Sequence, residues 1–180
     1  MTLADAWING GAGVTIRWTK FDTLMGNALI AATERGICRL SFDEDVQALM
    51  QRFPRANIVK DDAALAPFVA ATLQAIECPS DPIDVPLDVG GTAFQQSVWA
   101  ELRRIPAGET RSYADIARAV GSPNAVRAAG AANGANRVAI IIPCHRVIRS
   151  GGKLGGYAYG LERKSMLLAR ESRQANLFAA

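Results

Sequence analysis

Apolar and polar positions alternate with two different periods along this chain. In the first ninety residues the period of two dominates. Thr15-Ile16-Arg17-Trp18 alternates, and the run Gly26-Asn27-Ala28-Leu29-Ile30-Ala31-Ala32 passes through Thr33-Glu34-Arg35-Gly36 into Ile37-Cys38-Arg39-Leu40-Ser41-Phe42. Two apolar runs split by a short glycine-containing loop predict an antiparallel hairpin with an earlier strand beside it. The period then lengthens. Asp43 opens an expected helix with Val46, Leu49, Met50 and Phe53 on one face, closed by Pro54. A second helix is predicted from about Asp62 to Ile76, where Leu65, Phe68, Val69, Thr72, Leu73 and Ile76 recur at helical spacing. Ile83 to Val89 alternates again and predicts an edge strand, the kind of strand that tolerates Pro86.

Gly90-Gly91 punctuates the chain, and helical patterns dominate beyond it. Thr92 and Gln95 have capping-box spacing ahead of Phe94, Val98, Trp99 and Leu102. Ile105 to Thr110 reads as a turn. Ser112 and Asp115 start a short helix, Tyr113 to Val120, that ends at Gly121. Ser122 is placed to cap, and Pro123 to begin, a further helix from about 123 to 132, which Asn133-Gly134 breaks. Helix, glycine turn and helix make a helix-turn-helix outline. Its second helix is mostly alanine, with Arg127 as the one large polar side chain. Either the small residues let the backbone approach DNA, with Arg127 as a probe, or the alanines simply pack tightly. A last helix is expected from Leu161 to Ser172, with Leu161, Lys164, Leu167, Leu168 and Glu171 on one face.

These elements predict an α/β protein: a small N-terminal α/β domain with a short antiparallel sheet (residues 1–91), then a mostly helical C-terminal domain with a helix-turn-helix (92–180). With 49% of its residues hydrophobic, the chain is not of disordered composition. The longest apolar stretch, Val138 to Ile142, is too short to cross a bilayer, and the start shows no basic region leading into an apolar run. A cytoplasmic protein is the expectation. Three cysteines at unrelated spacings make no disulfide framework, and a single histidine makes a tetrahedral zinc site hard to assemble, so no metal is expected.

Charge divides the halves. Residues 1–92 hold 7 Lys and Arg against 12 Asp and Glu, whereas 93–180 hold 13 against 5. Eleven of those 13 cations are arginine, the side chain suited to phosphate. The second half is therefore equipped to face a polyanion, although a solvated basic surface accounts for the charge equally well.

The stretch with most chemistry is Ile140-Ile141-Ile142-Pro143-Cys144-His145-Arg146-Val147. It reads as a buried strand stopped by a proline that delivers a cysteine beside the only histidine. Cys144 is either buried filler or a nucleophile whose proton a neighbour accepts. Glu171 falls on the apolar stripe of the last helix and needs a partner, with His145 or a buried arginine as candidates. Gly151-Gly152 and Gly155-Gly156 beside Tyr157 and Tyr159 suit either a loop closing over a flat ligand or an ordinary wide loop.

Phe94 to Trp99, Ile105-Pro106-Ala107-Gly108-Glu109-Thr110-Arg111-Ser112-Tyr113, Ala125-Val126-Arg127-Ala128, Asn136, Ile142 to Val147, and Gly156-Tyr157 together resemble the O6-alkylguanine-DNA alkyltransferases, in particular the bacterial form. The resemblance is dense from Phe94 to Glu171 and thinner before. It implies a suicide DNA repair protein that flips O6-alkylguanine out of double-stranded DNA, entering through the minor groove, and keeps the alkyl group on Cys144. By the same resemblance His145 is the base, Glu171 orients it, Asn136 ties the recognition helix to the active-site turn, and Tyr113 helps guanine leave. Val147, Tyr157 and Ala158 would line the base pocket. Arg127 would fill the gap in the stack, and Gly130 would lie against DNA. No cofactor, membrane or obligate protein partner is implied, and a monomer is expected. In vertebrate members a hydroxyl residue stands at the Ala158 position, and the N-terminal zinc ligands of those members are missing here. A damage sensor lacking the cysteine, and a cysteine hydrolase acting on a small substrate, are the rival classes.

Overall fold

A computed structural model describes residues 7–79 and 83–178, with side chains as far as Arg173. The first dozen residues, with Gly10-Gly11 and Gly13, read in sequence as a loose terminus, and the first six of them lie outside the described residues. Three antiparallel strands, β1 (Thr15–Thr23), β2 (Gly26–Thr33) and β3 (Gly36–Phe42), form the predicted hairpin and its neighbour. A fourth strand, β4 (Asn57–Lys60), joins parallel to β1 and gives the order β3-β2-β1-β4. The sequence reading missed β4 because only Ile58 and Val59 are apolar there, too short a run to show a period of two.

The unbroken apolar run of β2 follows from its burial on both faces. Ala28, Ile30 and Ala32 face the main core, while Leu29 and Ala31 join Ile16, Cys38, Leu49 and Phe53 in a second cluster. Helix α1 (Val46–Arg52) covers this second cluster. Its cap is Asp45 rather than the expected Asp43, which takes a left-handed φ of 55° and ends the strand instead. Helix α2 (Asp62–Glu77) covers the main core with Leu65, Ala75 and Ile76.

The expected strand at 83–89 does not form. Only Leu87 bridges to Ile37, with Ile37 N donating to Pro86 O at 2.9 Å and Asp88 N to Ile37 O at 2.9 Å. The approach requires Gly36, because a Cβ there would stand 2.3 Å from Pro86 O.

Beyond the glycines lie α3 (Ala93–Arg103), β5 (Arg111–Ser112), α4 (Tyr113–Ala119), α5 (Val126–Gly134), a 3-10 turn (Cys144–Arg146), β6 (Val147–Ile148) and α6 (Leu161–Phe178). The predicted capping box of Thr92 with Gln95 is present on α3, and Ser112 with Asp115, expected to start α4, forms a second one. Helix α5 departs from expectation at both ends. It starts at Val126 with no side-chain cap, since Ser122 to Ala125 form a turn closed by Ala125 N donating to Ser122 O at 2.8 Å. It runs through Asn133 and Gly134 instead of breaking there. Asn133 is buried, and Trp99 Nε1 on α3 donates to Ala132 O at 2.9 Å, so tertiary packing overrides the turn preference of the pair.

One core runs through both halves, from Ile30 and Leu40 to Val98, Ile142 and Leu167. The apolar run 140–142 lies inside it but is not a strand. Ile140 has φ 68°, and Ile142 N donates to Val138 O at 3.0 Å, which folds the segment into tight turns. A short apolar run reads alike whether it is strand or buried turn. The outer edge of β3 holds the segment just before it: Leu40 N donates to Arg137 O and Ala139 N to Leu40 O, both at 2.9 Å. The N-terminal sheet thus braces the chain between Asn136 and Cys144. On α6, Leu161 lies off the expected apolar face and is 53% exposed. No helix among the described residues is long and apolar enough to cross a membrane.

Candidate active site

Cys144 opens the 3-10 turn after Pro143 and is almost fully buried. Asn136, just beyond α5, reaches it from inside the fold. Its Nδ2 donates to Ile142 O at 2.8 Å and points at Cys144 Sγ at 3.1 Å, while its Oδ1 accepts from Val138 N at 2.9 Å. One amide therefore holds both the turn and the sulfur. Burial pushes the Cys144 thiol above its ordinary range. The Asn136 hydrogen bond, the Lys164 charge and backbone N–H groups act in the other direction without overcoming burial.

His145, 1% exposed, is held from α6. Its Nε2 lies 2.8 Å from Glu171 Oε1, and its Nδ1 is buried with no hydrogen-bond partner among the described residues. Arg146 grips the same carboxylate, with Nε 3.0 Å from Oε2 and Nη2 2.9 Å from Oε1, and its Nη1 donates to Ile105 O at 2.6 Å. The choice between histidine and arginine as partner of Glu171 is thus resolved as both. Burial pushes Glu171 up, but hydrogen bonds and charges from His145 and Arg146 outweigh it and leave the carboxyl below the ordinary range. Burial pushes His145 down and dominates the opposing pull of Glu171, so the imidazole is neutral at neutral pH.

Tyr113 begins α4 and is half-buried, its pKa raised by burial and by Cys144. A Cβ placed on Gly130 would meet its ring at 3.7 Å, so Gly130 faces Tyr113. Tyr157 packs edge-on to His145 with ring centroids 6.5 Å apart, and its hydroxyl is buried without a hydrogen-bond partner among the described residues. Val147 is buried, and Ala158 is exposed on the adjoining loop. Arg127 stands exposed in the first turn of α5, with no hydrogen bond or ion pair among the described residues. The structure therefore gathers Cys144, His145, Glu171 and Asn136 into one cluster with Tyr113, Val147 and Tyr157 around it. Arg127 sits apart from them on the protein surface.

Two side chains were passed over in the sequence. Lys164 is fully buried, with Nζ donating to Val147 O at 2.6 Å and to Gly156 O at 3.3 Å. Burial lowers its pKa to about 8, opposed by Cys144. A lysine on the apolar stripe of the last helix was the available signal. Arg163 donates to Met25 O at 2.6 Å and to Tyr159 O at 3.2 Å, and pairs with Asp43, clamping the tyrosine loop to the N-terminal sheet. Among the described residues no group of His, Cys, Asp and Glu is placed to hold a metal.

A buried thiol next in sequence to a neutral imidazole that a paired carboxylate holds is a set of groups that cysteine-nucleophile chemistry uses. Residues 16–89 match the family described as 6-O-methylguanine DNA methyltransferase, ribonuclease-like domain, and residues 93–173 match its DNA binding domain. The chain belongs to the 6-O-methylguanine DNA methyltransferase family. It is 40% identical to the inducible methylated-DNA–protein-cysteine methyltransferase of Bacillus subtilis, covering 90% of this chain and 93% of that one. It is 44% identical to the bifunctional transcriptional activator/DNA repair enzyme Ada of Escherichia coli across 94% of this chain, and it spans about half of that relative, 49% of its length. The crystal structure of Mycobacterium tuberculosis OGT in complex with DNA superposes with a TM-score of 0.78 at 39% identity, covering 88% of this chain and 94% of that one.

Proposed function

We propose that this protein repairs O6-alkylguanine in double-stranded DNA by moving the alkyl group irreversibly to its own Cys144. The observation that carries the reading is the chain of contacts from Asn136 to the Cys144 sulfur, and from its neighbour His145 to Glu171, inside one buried cluster. In this reading His145 Nδ1, the ring nitrogen with no partner among the described residues, takes the thiol proton through a water. Nε2 then carries the second proton toward Glu171, whose charge stabilises the imidazolium. Sulfur attacks the alkyl carbon, the C–O bond breaks, and its electron pair passes into the guanine. Tyr113 gives a proton to a ring nitrogen so that guanine leaves neutral. The product is a thioether with no ready hydrolytic exit, so each molecule works once and needs no cofactor.

Residues 92–180 form the reading and accepting domain, and residues 1–91 the brace. Helices α4 and α5 act as a helix-turn-helix that enters the minor groove, where readout is degenerate and damage can be sought in any sequence. Arg127 takes the place of the extruded nucleotide, and Gly130 keeps α5 small enough to lie close. Val147, Tyr157 and Ala158 wall the base pocket, with the Val147 carbonyl positioned by Lys164. The protein works as a monomer in the cytoplasm.

Intact mass before and after exposure to duplex DNA bearing O6-methylguanine tests this reading. Gain of one methyl on the peptide carrying Cys144, absent in Cys144→Ala, supports it. Repeated turnover, or label on Cys38 or Cys78, overturns it.

A further inference from the structure

The two-stranded parallel ladder of β5 and β6 pairs Arg111 with Val147 and Ser112 with Ile148. The next residues along the two strands are Tyr113 and Arg149, so the ladder delivers them side by side. Both converge on Gly155: a Cβ built there would lie 3.0 Å from Tyr113 Oη and 3.4 Å from Arg149 Cγ. The Arg149 backbone is held by a closed turn, with Arg149 N donating to Lys153 O at 2.8 Å and Gly152 N to Arg149 O at 3.1 Å. Its side chain is exposed, and no ion pair engages it among the described residues.

We propose that Arg149 is a positioning residue of the repair reaction, its guanidinium stabilising the negative charge that Tyr113 acquires when it protonates the departing guanine. The inference rests on the repair reading and adds a partner to its leaving-group step. As the C–O bond breaks, guanine gains an electron pair and a proton, and the phenol becomes a phenolate until solvent reprotonates it. A phenol that is half-buried and close to Cys144 is poorly placed to carry that charge, and both influences raise its pKa. Arg149 is the cation that opposes them. A guanidinium keeps its charge at any working pH and spreads it over a plane, which suits it to a site that becomes anionic only during the reaction.

The rival role is a salt link from Arg149 to a DNA phosphate. Single-turnover methyl transfer to Arg149→Gln and Arg149→Lys separates the two, using methylated duplex DNA in one arm and free O6-methylguanine base, which has no phosphate, in the other. Arg149→Gln should slow both arms alike, by about tenfold for one charge next to the ionising group. Arg149→Lys should recover most of the rate, and Arg149→Gln should add little when Tyr113 is already Phe. Ultraviolet titration of the tyrosinate, assigned with Tyr113→Phe, should place the Tyr113 midpoint higher in Arg149→Gln. A loss confined to DNA, a full additional loss in the Tyr113→Phe background, or an unmoved Tyr113 titration overturns the assignment. The titration needs no substrate, so it is independent of the underlying reading, which fails separately if the wild-type protein takes no methyl from DNA.

Discussion

Asn136 Nδ2 lies 3.1 Å from Cys144 Sγ while the same amide bonds the backbone on both sides of the intervening turn. The contact ties the segment just beyond α5 to the sulfur proposed as the nucleophile. Asn136→Ala leaves Val138 N without its partner in a buried place, at about 1–3 kcal/mol, and removes one of the two hydrogen bonds on Ile142 O, which keeps that from Cys144 N at 2.8 Å. A lower melting temperature and much slower methyl transfer are the expected outcomes. Asn136→Asp still accepts from Val138 N but sets a carboxylate against the sulfur. It should react more slowly than wild type with iodoacetamide at every pH at which it is folded, and an unchanged rate would contradict the arrangement.

The neighbouring pair sets the response to acid. His145 has its pKa lowered by burial, so the folded state binds fewer protons than the unfolded chain as pH falls below 6.5, and stability falls with it. Glu171 is also lowered, so a second loss begins below 4.5, where the unfolded chain again takes up the proton first. Urea midpoints measured from pH 7.5 to 4 should decline in that order. Methyl transfer should hold through pH 6.5 and fall only below it, because the imidazole stays neutral past the usual histidine range. A rate that halves near 6.5 would place an ordinary, solvated histidine at the site. Glu171→Gln should abolish the second loss. It should also cost stability, about 3–5 kcal/mol, because Arg146 would stay partly buried without its counter-charge.

Local signals in the sequence were strong where side chains cap or alternate. The Thr92–Gln95 capping box, the helix start at Ser112, the β2–β3 hairpin and the place of Glu171 on an apolar stripe were legible because each depends on near neighbours or on one periodic face, whereas Asn136 read only as a turn former and came to the site through the family resemblance alone. The turn at 140–142, the shortened start of α5 and the strand β4 were not, since each is decided by packing across the chain. Val138 bridges Leu40, and β4 exists only because β1 offers it an edge. Lys164 shows the same limit. Its place on the stripe was visible, but a charge buried under Val147 O was not.

Lys164 gives a prediction with the opposite pH sense. Its pKa falls from 10.5 to about 8 on folding, so between those values the unfolded chain holds the proton and the native state does not, and stability should rise with pH across that window. Lys164→Met removes this slope, which can be read from urea midpoints between pH 7.5 and 10. The substitution also removes the cation that draws the Cys144 thiol down, so alkylation of Cys144 by iodoacetamide at pH 7 should slow. A variant that keeps the wild-type slope would show the ammonium to be hydrated, contrary to its complete burial.

Arg127 stands apart from the buried cluster, and this allows its role to be isolated. Its side chain is exposed and bonds to nothing among the described residues, so Arg127→Ala should change the unfolding free energy by no more than the small range usual for surface changes, about 0.5 kcal/mol. If the guanidinium replaces an extruded nucleotide in the duplex, its loss returns the unstacking penalty, a few kcal/mol, to the flipping step. Transfer from methylated duplex DNA should then fall by about ten- to a hundredfold or more. Transfer from free O6-methylguanine base should not change, since nothing has to be flipped. Parallel single-turnover assays on the two substrates read this directly, and an equal fall in both would place Arg127 in the chemistry and remove it from the DNA stack.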